Sequence, residues 1–184
     1  PGSCGRAVLN VETRVVDDAM RDVAPGQVGE IVHRSPQLLL GYFHDDVRTA
    51  AAFEGGWFHS GDAAVVHPDG YIEIRDRWKD VIISGGENIS SIEIEGTLLR
   101  HPAVQEVAVV GLPHEKWGET PGAFVVLKNG ASADDAELRQ FCRDHLAHFK
   151  VPHSFTLVTE LPKTATGKIQ KYILRGGRAN MARQ

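Results

Sequence analysis

The sequence predicts an α+β fold in two parts, a β-rich part over residues 1–76 and a mixed α+β part over residues 77–184. In the first part, short apolar runs alternate with Pro-Gly and Pro-Asp-Gly turn sequences, which is typical of antiparallel strands. In the second part, strand-type and helix-type segments follow one another, which is typical of a small α+β unit. The charged stretch 76–80 lies between the two parts, and the character of the sequence changes there.

The first part is predicted to contain four strands and one short helix. Pro25-Gly26 and Pro68-Asp69-Gly70 favour turns between neighbouring strands. Asp45 or Asp46 is a suitable N-cap for the helix. The predicted strands are 8–16, 28–34, 63–67 and 71–75, and the predicted helix covers 47–53.

The second part is predicted to contain three strands and three helices after the apolar segment 81–83. His101-Pro102 ends the first helix, Ser132 with Asp135 resembles a capping box for the second, and Gly176-Gly177 ends the third. The predicted strands are 104–112, 123–128 and 155–158, and the helices begin at Ser90 or Ser91, at the capping box and at Ile169.

Composition and charge exclude several classes of protein. A net charge of −4 disfavours a nucleic-acid partner, because few cations remain to neutralise a row of phosphates. Cys4 and Cys142 are too few for a disulfide framework, so we expect a reducing, cytoplasmic location. The nine histidines show no metal-ligand spacing, and we expect no metal site in this chain. No apolar run is long enough for a membrane span, and the start without Met indicates a piece of a longer protein.

The first polar segment within the apolar strands is Trp57-Phe58-His59-Ser60-Gly61-Asp62. A carboxylate beside a glycine can accept two hydrogen bonds, which is what the diol of a ribose offers. The alternative interpretation is that Asp62 only caps a turn.

The second polar segment runs from Arg75 to Asn88 and includes a glycine pair. Arg77 has a planar guanidinium that can hold ribose or phosphate oxygens. Gly85 and Gly86 allow the backbone to approach a ligand closely, because no Cβ stands in the way. The alternative is an ordinary charged loop followed by a tight turn.

The third polar segment is LPKTATGKIQK, residues 161–171. It lacks the full phosphate-binding loop pattern, because Ile169 rather than Ser or Thr follows Lys168. We interpret it as a flexible loop that delivers the Lys168 ammonium to a site elsewhere. The alternative is a solvated basic loop near the C-terminus.

In this order and spacing, these segments resemble the adenylate-forming superfamily of acyl-CoA synthetases, luciferases and peptide-synthetase adenylation domains. The resemblance extends from Gly5 to about Arg175. It implies that residues 1–76 are the last β-rich subdomain, a distorted barrel, of an incomplete N-terminal AMP-binding domain, and that residues 77–184 are the small mobile C-terminal domain. The matching segments are Gly29-Glu30-Ile31 with Gly41-Tyr42-Phe43, WFHSGD, DRWKDVIISGGENI, the helix with Glu93 and Glu95, Trp117-Gly118-Glu119, and LPKTATGKIQK.

The resemblance also implies roles for the charged residues. Asp62 is expected to hold the ribose hydroxyls of ATP, with Arg77 assisting. Lys168 is expected to be catalytic, stabilising negative charge while the carboxylate attacks the α-phosphate, because a positioned cation has most effect where charge builds up. Lys79 corresponds to the hinge between the two domains.

Coenzyme A is expected to contact the C-terminal domain. The resemblance places Gly85 and Gly86 beside the pantetheine channel, and it places Trp117 and Phe149 against the coenzyme.

This chain departs from some relatives in the segment after Phe149. Val151 and His153 stand where those relatives have basic residues, so the contact with the 3′-phosphate of coenzyme A needs another group. Lys150 is the expected substitute.

The implied function is that of an acyl-CoA synthetase, which converts a small carboxylic acid to an acyl-adenylate with ATP and then to a thioester with coenzyme A. The phosphate loop and the acyl pocket lie upstream, so the missing N-terminal domain is an expected partner, Mg²⁺ is expected to bind mainly there, and the isolated chain is expected to be inactive. Fatty- and aryl-acyl-CoA ligases share the SGGENIS and TATGKIQK patterns, which indicates fatty acid metabolism. The alternatives are an adenylation domain that loads a carrier protein, a luciferase-type oxygenase, and a non-catalytic binding module.

Overall fold

The computed structural model of the protein describes residues 3–176. They form two compact units, and the division lies between Lys79 and Asp80, inside the charged stretch that the sequence marks as a boundary. Gly177, the second residue of the predicted C-terminal helix stop, lies outside the described residues.

The first unit is one antiparallel five-stranded sheet with the order β1-β5-β4-β3-β2. A short helix, α1, follows β3, and the Asp45 carboxylate caps it by accepting from the Arg48 N–H. The sheet is open, because β1 pairs with β5 and β2 pairs with β3 but not with each other in the part of the chain described. A closed barrel would be a wrong description of this unit. The elements are β1 Ser3–Gly5, β2 Glu12–Val16, β3 Val28–Arg34, α1 Asp46–Ala52, β4 Phe58–Val66 and β5 Ile72–Arg77.

Both faces of the first sheet carry buried side chains. Val15 and Ile31 belong to one apolar cluster, and their neighbours Val16 and Val32 belong to the other, because successive residues of a strand point to opposite faces. The observed strand β2 begins at Glu12, whereas the sequence predicted a strand from residue 8 to residue 16. The first residues do not join the strand, because Asn10 adopts a left-handed turn conformation with φ of 65°.

The second unit is a sheet built around the long strand β9. β9 pairs antiparallel with β8 on one side, and on the other side it pairs parallel with β10 and antiparallel with β6. The strands are β6 Ile82–Ser84, β7 Glu87–Ile89, β8 Val104–His114, β9 Gly118–Leu127 and β10 Ser154–Leu157, and the helices are α2 Ser91–Leu98, α3 Asp135–His145 and α4 Lys171–Arg175.

Helices cover both faces of this second sheet. Val109 and Val125 point to the face on which α2 and α3 pack through Ile94 and Leu138. The alternate residues of β8 and β9 point to the other face and pack against Leu174 of α4. The unit therefore has three layers, with apolar clusters on either side of the sheet.

The helix caps differ in one place from the sequence prediction. Ser90 caps α2, as the sequence suggested, by accepting from the Glu93 N–H. Asp134, rather than Ser132, caps α3 by accepting from the Glu137 N–H at 2.8 Å. Among the described residues, no helix is long and apolar enough to cross a membrane.

The Cys142 thiol lies in the core beneath α3, and we expect it to be unreactive in the native protein. Burial raises the pKa of Cys142 to about 11, against an opposing effect of the Arg139 charge, so almost no thiolate forms at neutral pH. Maleimide labelling of the folded protein at pH 7.5, followed by peptide mapping, should modify Cys142 only in denaturant. Rapid native labelling would contradict the placement of this thiol in the core.

Candidate active site

Asp62 and Arg77 face each other on neighbouring strands of the first unit. β4 and β5 pair in a register that sets these two residues opposite one another. Arg77 Nε lies 3.2 Å from Asp62 Oδ1, and the Asp62 side chain is 23% exposed. The structure therefore brings together the two residues that the resemblance assigns to the ribose, as a carboxylate with a guanidinium beside it.

Glu30 organises the backbone that leads to Asp62. Its Oε1 accepts from the Gly61 N–H at 2.9 Å, and its Oε2 lies 2.8 Å from His59 Nδ1. Ser60 Oγ donates to Ile31 O at 2.7 Å. Gly61 has a φ of 73°, so a residue with a side chain would be strained at this turn of the strand. Glu30 was missing from the predicted site, although its segment Gly29-Glu30-Ile31 is one of those that carry the resemblance.

The charge of Asp62 also acts on a half-buried neighbour, His33. Burial lowers the pKa of His33 below its ordinary value, and the Asp62 carboxylate acts in the opposite direction. Asp62 is therefore close enough to influence a second ionisable group.

Gly85 and Gly86 form the turn of the β6–β7 hairpin, which the sequence did not predict. Both have positive φ, 59° and 90°, as a tight hairpin turn requires. The Gly85 N–H donates to Trp117 O at 3.0 Å. A Cβ at Gly85 would lie 2.8 Å from Trp117 Cε3, whereas a Cβ at Gly86 would meet no atom within 4 Å. Gly85 is thus needed for packing inside the unit, while Gly86 faces open space.

A cleft of about 520 Å³ in the second unit brings together Gly85, Trp117 and Phe149. The two aromatic residues are 42% and 48% exposed, so both rings are open to a ligand. Stacking surfaces next to cations suit a phosphorylated base. Basic residues in the lining are Arg139, Arg143, His148 and His153, and Glu87 also contributes.

The expected phosphate contact, Lys150, is bound to another group. Its Nζ lies 2.8 Å from Glu93 Oε1 and 2.7 Å from Glu93 Oε2. Arg139 is also engaged, through Asp135 and two backbone carbonyls. Arg143, in contrast, has no hydrogen bond or ion pair with any residue in the range 3–176. Within the described residues, Arg143 is therefore an unpaired arginine of the cleft that the sequence did not single out.

Lys168 differs from the other two lysines of its segment. Lys163 forms an ion pair with Glu106, and Lys171 forms one with Glu95. Within the described chain, the Lys168 ammonium has no such partner. An unpaired ammonium is available to a ligand without first breaking a contact.

The backbone around Lys168 is tied by hydrogen bonds. The Thr164 N–H donates to Lys168 O at 2.8 Å, and the Lys168 N–H donates to Thr164 Oγ1 at 3.1 Å. An isolated bridge joins Lys163 and Ile169 at the base of the loop. The loop thus holds its backbone in place and leaves one side chain free.

The Lys168 loop and the cleft lie beside opposite faces of the second sheet. Ile169 packs in the apolar cluster on the α4 face. Val151, which lines the cleft, packs against the cluster on the α2 and α3 face. The second unit therefore carries two candidate surfaces, the Lys168 loop and the cleft, beside different faces of its sheet.

Lys79, the predicted hinge, is exposed and lies in the 3-10 turn Trp78–Asp80, where the two units divide. Its neighbour Asp80 is buried and accepts from Arg175 at 2.7 Å. The hinge assignment itself stays a prediction.

The chain matches a known enzyme family in two stretches. Residues 93–168 match the family described as AMP-binding enzyme C-terminal domain, and residues 1–43 match the family described as AMP-binding enzyme.

Curated relatives extend the match. A probable CoA ligase of Humulus lupulus is 54% identical over 151 residues, which cover 80% of this chain and 27% of the relative. The peroxisomal trans-cinnamate:CoA ligase of Petunia hybrida is 50% identical over 148 residues, which cover 80% of this chain and 26% of the relative. The chain thus spans little more than a quarter of the length of these relatives.

A solved structure shares the fold. The o-succinylbenzoate CoA synthetase of Bacillus subtilis, in complex with its acyl-adenylate intermediate, superposes with a TM-score of 0.89 and 35% identity. The match covers 100% of this chain and 36% of that one. The chain therefore belongs to the adenylate-forming, AMP-binding enzyme family and corresponds to its C-terminal region.

Proposed function

We propose that this chain is the C-terminal part of an acyl-CoA synthetase that joins a carboxylic acid to coenzyme A. In the first step, the carboxylate attacks the α-phosphate of ATP, which forms an acyl-adenylate and releases pyrophosphate. In the second step, the coenzyme A thiol attacks the acyl carbon, which forms the thioester and releases AMP. The observation that carries this proposal is the pair of surfaces on the second unit, a free lysine on one side and an aromatic, basic cleft on the other.

The first step uses the first unit and the Lys168 loop. Asp62 accepts hydrogen bonds from the ribose hydroxyls, and the contact with Arg77 orients the carboxylate. The Lys168 ammonium stabilises the charge that develops at the α-phosphate. Mg²⁺ is proposed to bind mainly in the upstream part of the enzyme, together with the phosphate loop.

The second step uses the cleft. The second unit turns about the Lys79 region, which withdraws Lys168 and presents the Gly85-Gly86 turn to the pantetheine arm. The exposed rings of Trp117 and Phe149 pack against the coenzyme. The relatives named as CoA ligases support coenzyme A as the thiol.

The main alternative is an adenylation domain that transfers the acyl group to a carrier protein. It would use the same first step, but its acceptor thiol would belong to a protein. The cleft favours the free coenzyme, because cations next to stacking rings suit a nucleotide. A non-catalytic module would give no reason for an unpaired lysine on an ordered loop.

The proposed activity is tested with the full-length enzyme and a panel of fatty, aryl and short-chain acids. Acid-dependent pyrophosphate release, followed by coenzyme-dependent loss of free thiol, is the expected result. The isolated chain should release no pyrophosphate, because the phosphate loop is assigned to the upstream part. Acid-dependent release without thioester formation would favour the carrier-protein alternative.

The cytoplasm is the proposed location, on the basis of two free cysteines. Two relatives are named as peroxisomal, one from Arabidopsis thaliana and one from Petunia hybrida. Fractionation of cells that express the full-length enzyme, with markers for both compartments, decides between them.

Arg143 is expected to recognise the 3′-phosphate of coenzyme A. Arg143→Met should raise the KM for coenzyme A about 10-fold, the loss of one charge-assisted contact. The KM for 3′-dephospho-coenzyme A should change little. Lys150→Met is the matched control, because Glu93 already holds that ammonium. If only Lys150→Met raised the KM for coenzyme A relative to the KM for 3′-dephospho-coenzyme A, the 3′-phosphate would be assigned to Lys150.

A further inference from the structure

The end of the Lys168 loop is anchored by a partly buried ion pair. Lys171 Nζ lies 2.7 Å from Glu95 Oε1 and 2.6 Å from Ser91 Oγ. The Lys171 and Glu95 side chains are only 16% and 17% exposed. Removal of one partner would leave a poorly solvated charge, so this contact resists opening more than a surface ion pair does.

Glu95 connects Lys171 to the sheet of the second unit. The same oxygen that contacts Lys171 accepts from the Val109 N–H of β8 at 2.8 Å. Glu95 belongs to α2, whose Ile94 is fully buried in the core. Lys171 is therefore attached to both a packed helix and a central part of the long strand.

The start of the loop has a weaker anchor on the same strand. Lys163 pairs with Glu106 of β8, and these side chains are 39% and 32% exposed. An exposed pair contributes less than a buried one, because water and salt screen it. The two anchors offer an internal comparison, since they have the same chemistry at the two ends of one loop.

We propose that Lys171 and Glu95 are positioning residues for the first half-reaction. They contact no substrate; they fix the backbone from which Lys168 extends, so that its ammonium reaches the α-phosphate in one geometry. The inference rests on the proposed role of Lys168. A displacement of about 1 Å at a catalytic group costs about 10²-fold in rate, which sets the scale of the effect.

The test uses the full-length enzyme and measures each half-reaction separately. Lys171→Met and Glu95→Gln should each slow adenylate formation about 10-fold or more through kcat, with the KM for ATP nearly unchanged. Thioester formation from a preformed acyl-adenylate should stay within about 2-fold of wild type, whereas a general folding defect would slow both. Lys163→Met, the exposed matched control, should change neither rate by more than about 2-fold, and Lys171→Arg should restore most of the adenylation rate.

A second comparison separates this inference from the proposed function. If Lys171 acts through Lys168, Lys171→Met should cause no further loss in a Lys168→Ala background, and an additive loss would overturn the positioning role. If Lys168→Ala slows adenylation but Lys171→Met does not, only the positioning inference fails. If Lys168→Ala itself has no effect, the proposed function of the loop fails. Should Lys171→Met not fold, the conservative Glu95→Gln, which keeps an acceptor for Val109, provides the same test.

Discussion

Replacement of Lys168 by alanine is expected to slow adenylate formation in the full-length enzyme about 10²–10³-fold, the usual effect of removing one preorganised charge stabiliser. Thioester formation from a preformed acyl-adenylate should be nearly unchanged, because the proposed rotation carries the lysine away before that step. Rapid-quench measurement of acyl-adenylate formation, and a separate assay started from synthetic acyl-adenylate, give the two rates.

Lys168→Ala is expected to fold as stably as the wild type, so a slower reaction can be attributed to the loss of the ammonium. Lys168 is exposed and its side chain has no partner among the described residues, so the melting temperature should change little. Equal losses in both half-reactions would argue against alternation of the two surfaces. A normal adenylation rate would show that the loop is merely solvated.

Gly86→Leu should produce the reverse pattern. A leucine side chain at the hairpin turn would project into open space beside the cleft and obstruct the pantetheine arm. We expect thioester formation to fall about 10²-fold, the scale of a misplaced reacting group, while adenylate formation stays close to wild type. The same two single-step assays measure the effect.

Gly85 and Gly86 must be tested separately, because the structure gives them different environments. A Cβ at Gly85 would clash with Trp117, so Gly85→Ala should disturb the hairpin and lower the melting temperature. Gly86→Ala meets no atom and has only the strain of its positive φ, about 1 kcal/mol. If Gly86→Ala slows thioester formation only slightly and Gly86→Leu slows it strongly, the cause is obstruction of the pantetheine arm. If both variants slow thioester formation to a similar degree, the cause is backbone strain instead.

Much of the fold follows from local patterns in the sequence. The alternation in residues 28–34 predicts β3 with the bounds that the structure shows. The strands β1 and β7 are three residues long, and Glu87 and Asn88 have low strand propensity, so neither strand has a usable sequence signal. β4 begins earlier than expected, because its polar first half is held in the sheet by contacts with Glu30.

The candidate site, like the fold, is only partly predictable from local sequence patterns. Asp62, Arg77 and Lys168 stand in the segments that carry the family resemblance, and that resemblance is what allows the sequence to propose them. Glu30 and Lys171 act through residues far away in the chain, and their partners become known only when the sheets are assembled. The sheet of the first unit is open and is not a closed barrel, and strand composition does not reveal whether the first and last strands of a sheet meet.

The contact between Asp80 and Arg175 has a mechanical consequence for the proposed rotation of the second unit. It joins the first residue of the second unit to its last helix, so the unit is fastened at the point where its chain enters and near the end of its described part. In the proposed rotation, a unit fastened in this way would turn without loosening, and the bending would be confined to the few residues before Asp80. Lys168 and Gly86 lie on different faces of the second unit, and in the proposed rotation they would move together as parts of one rigid body.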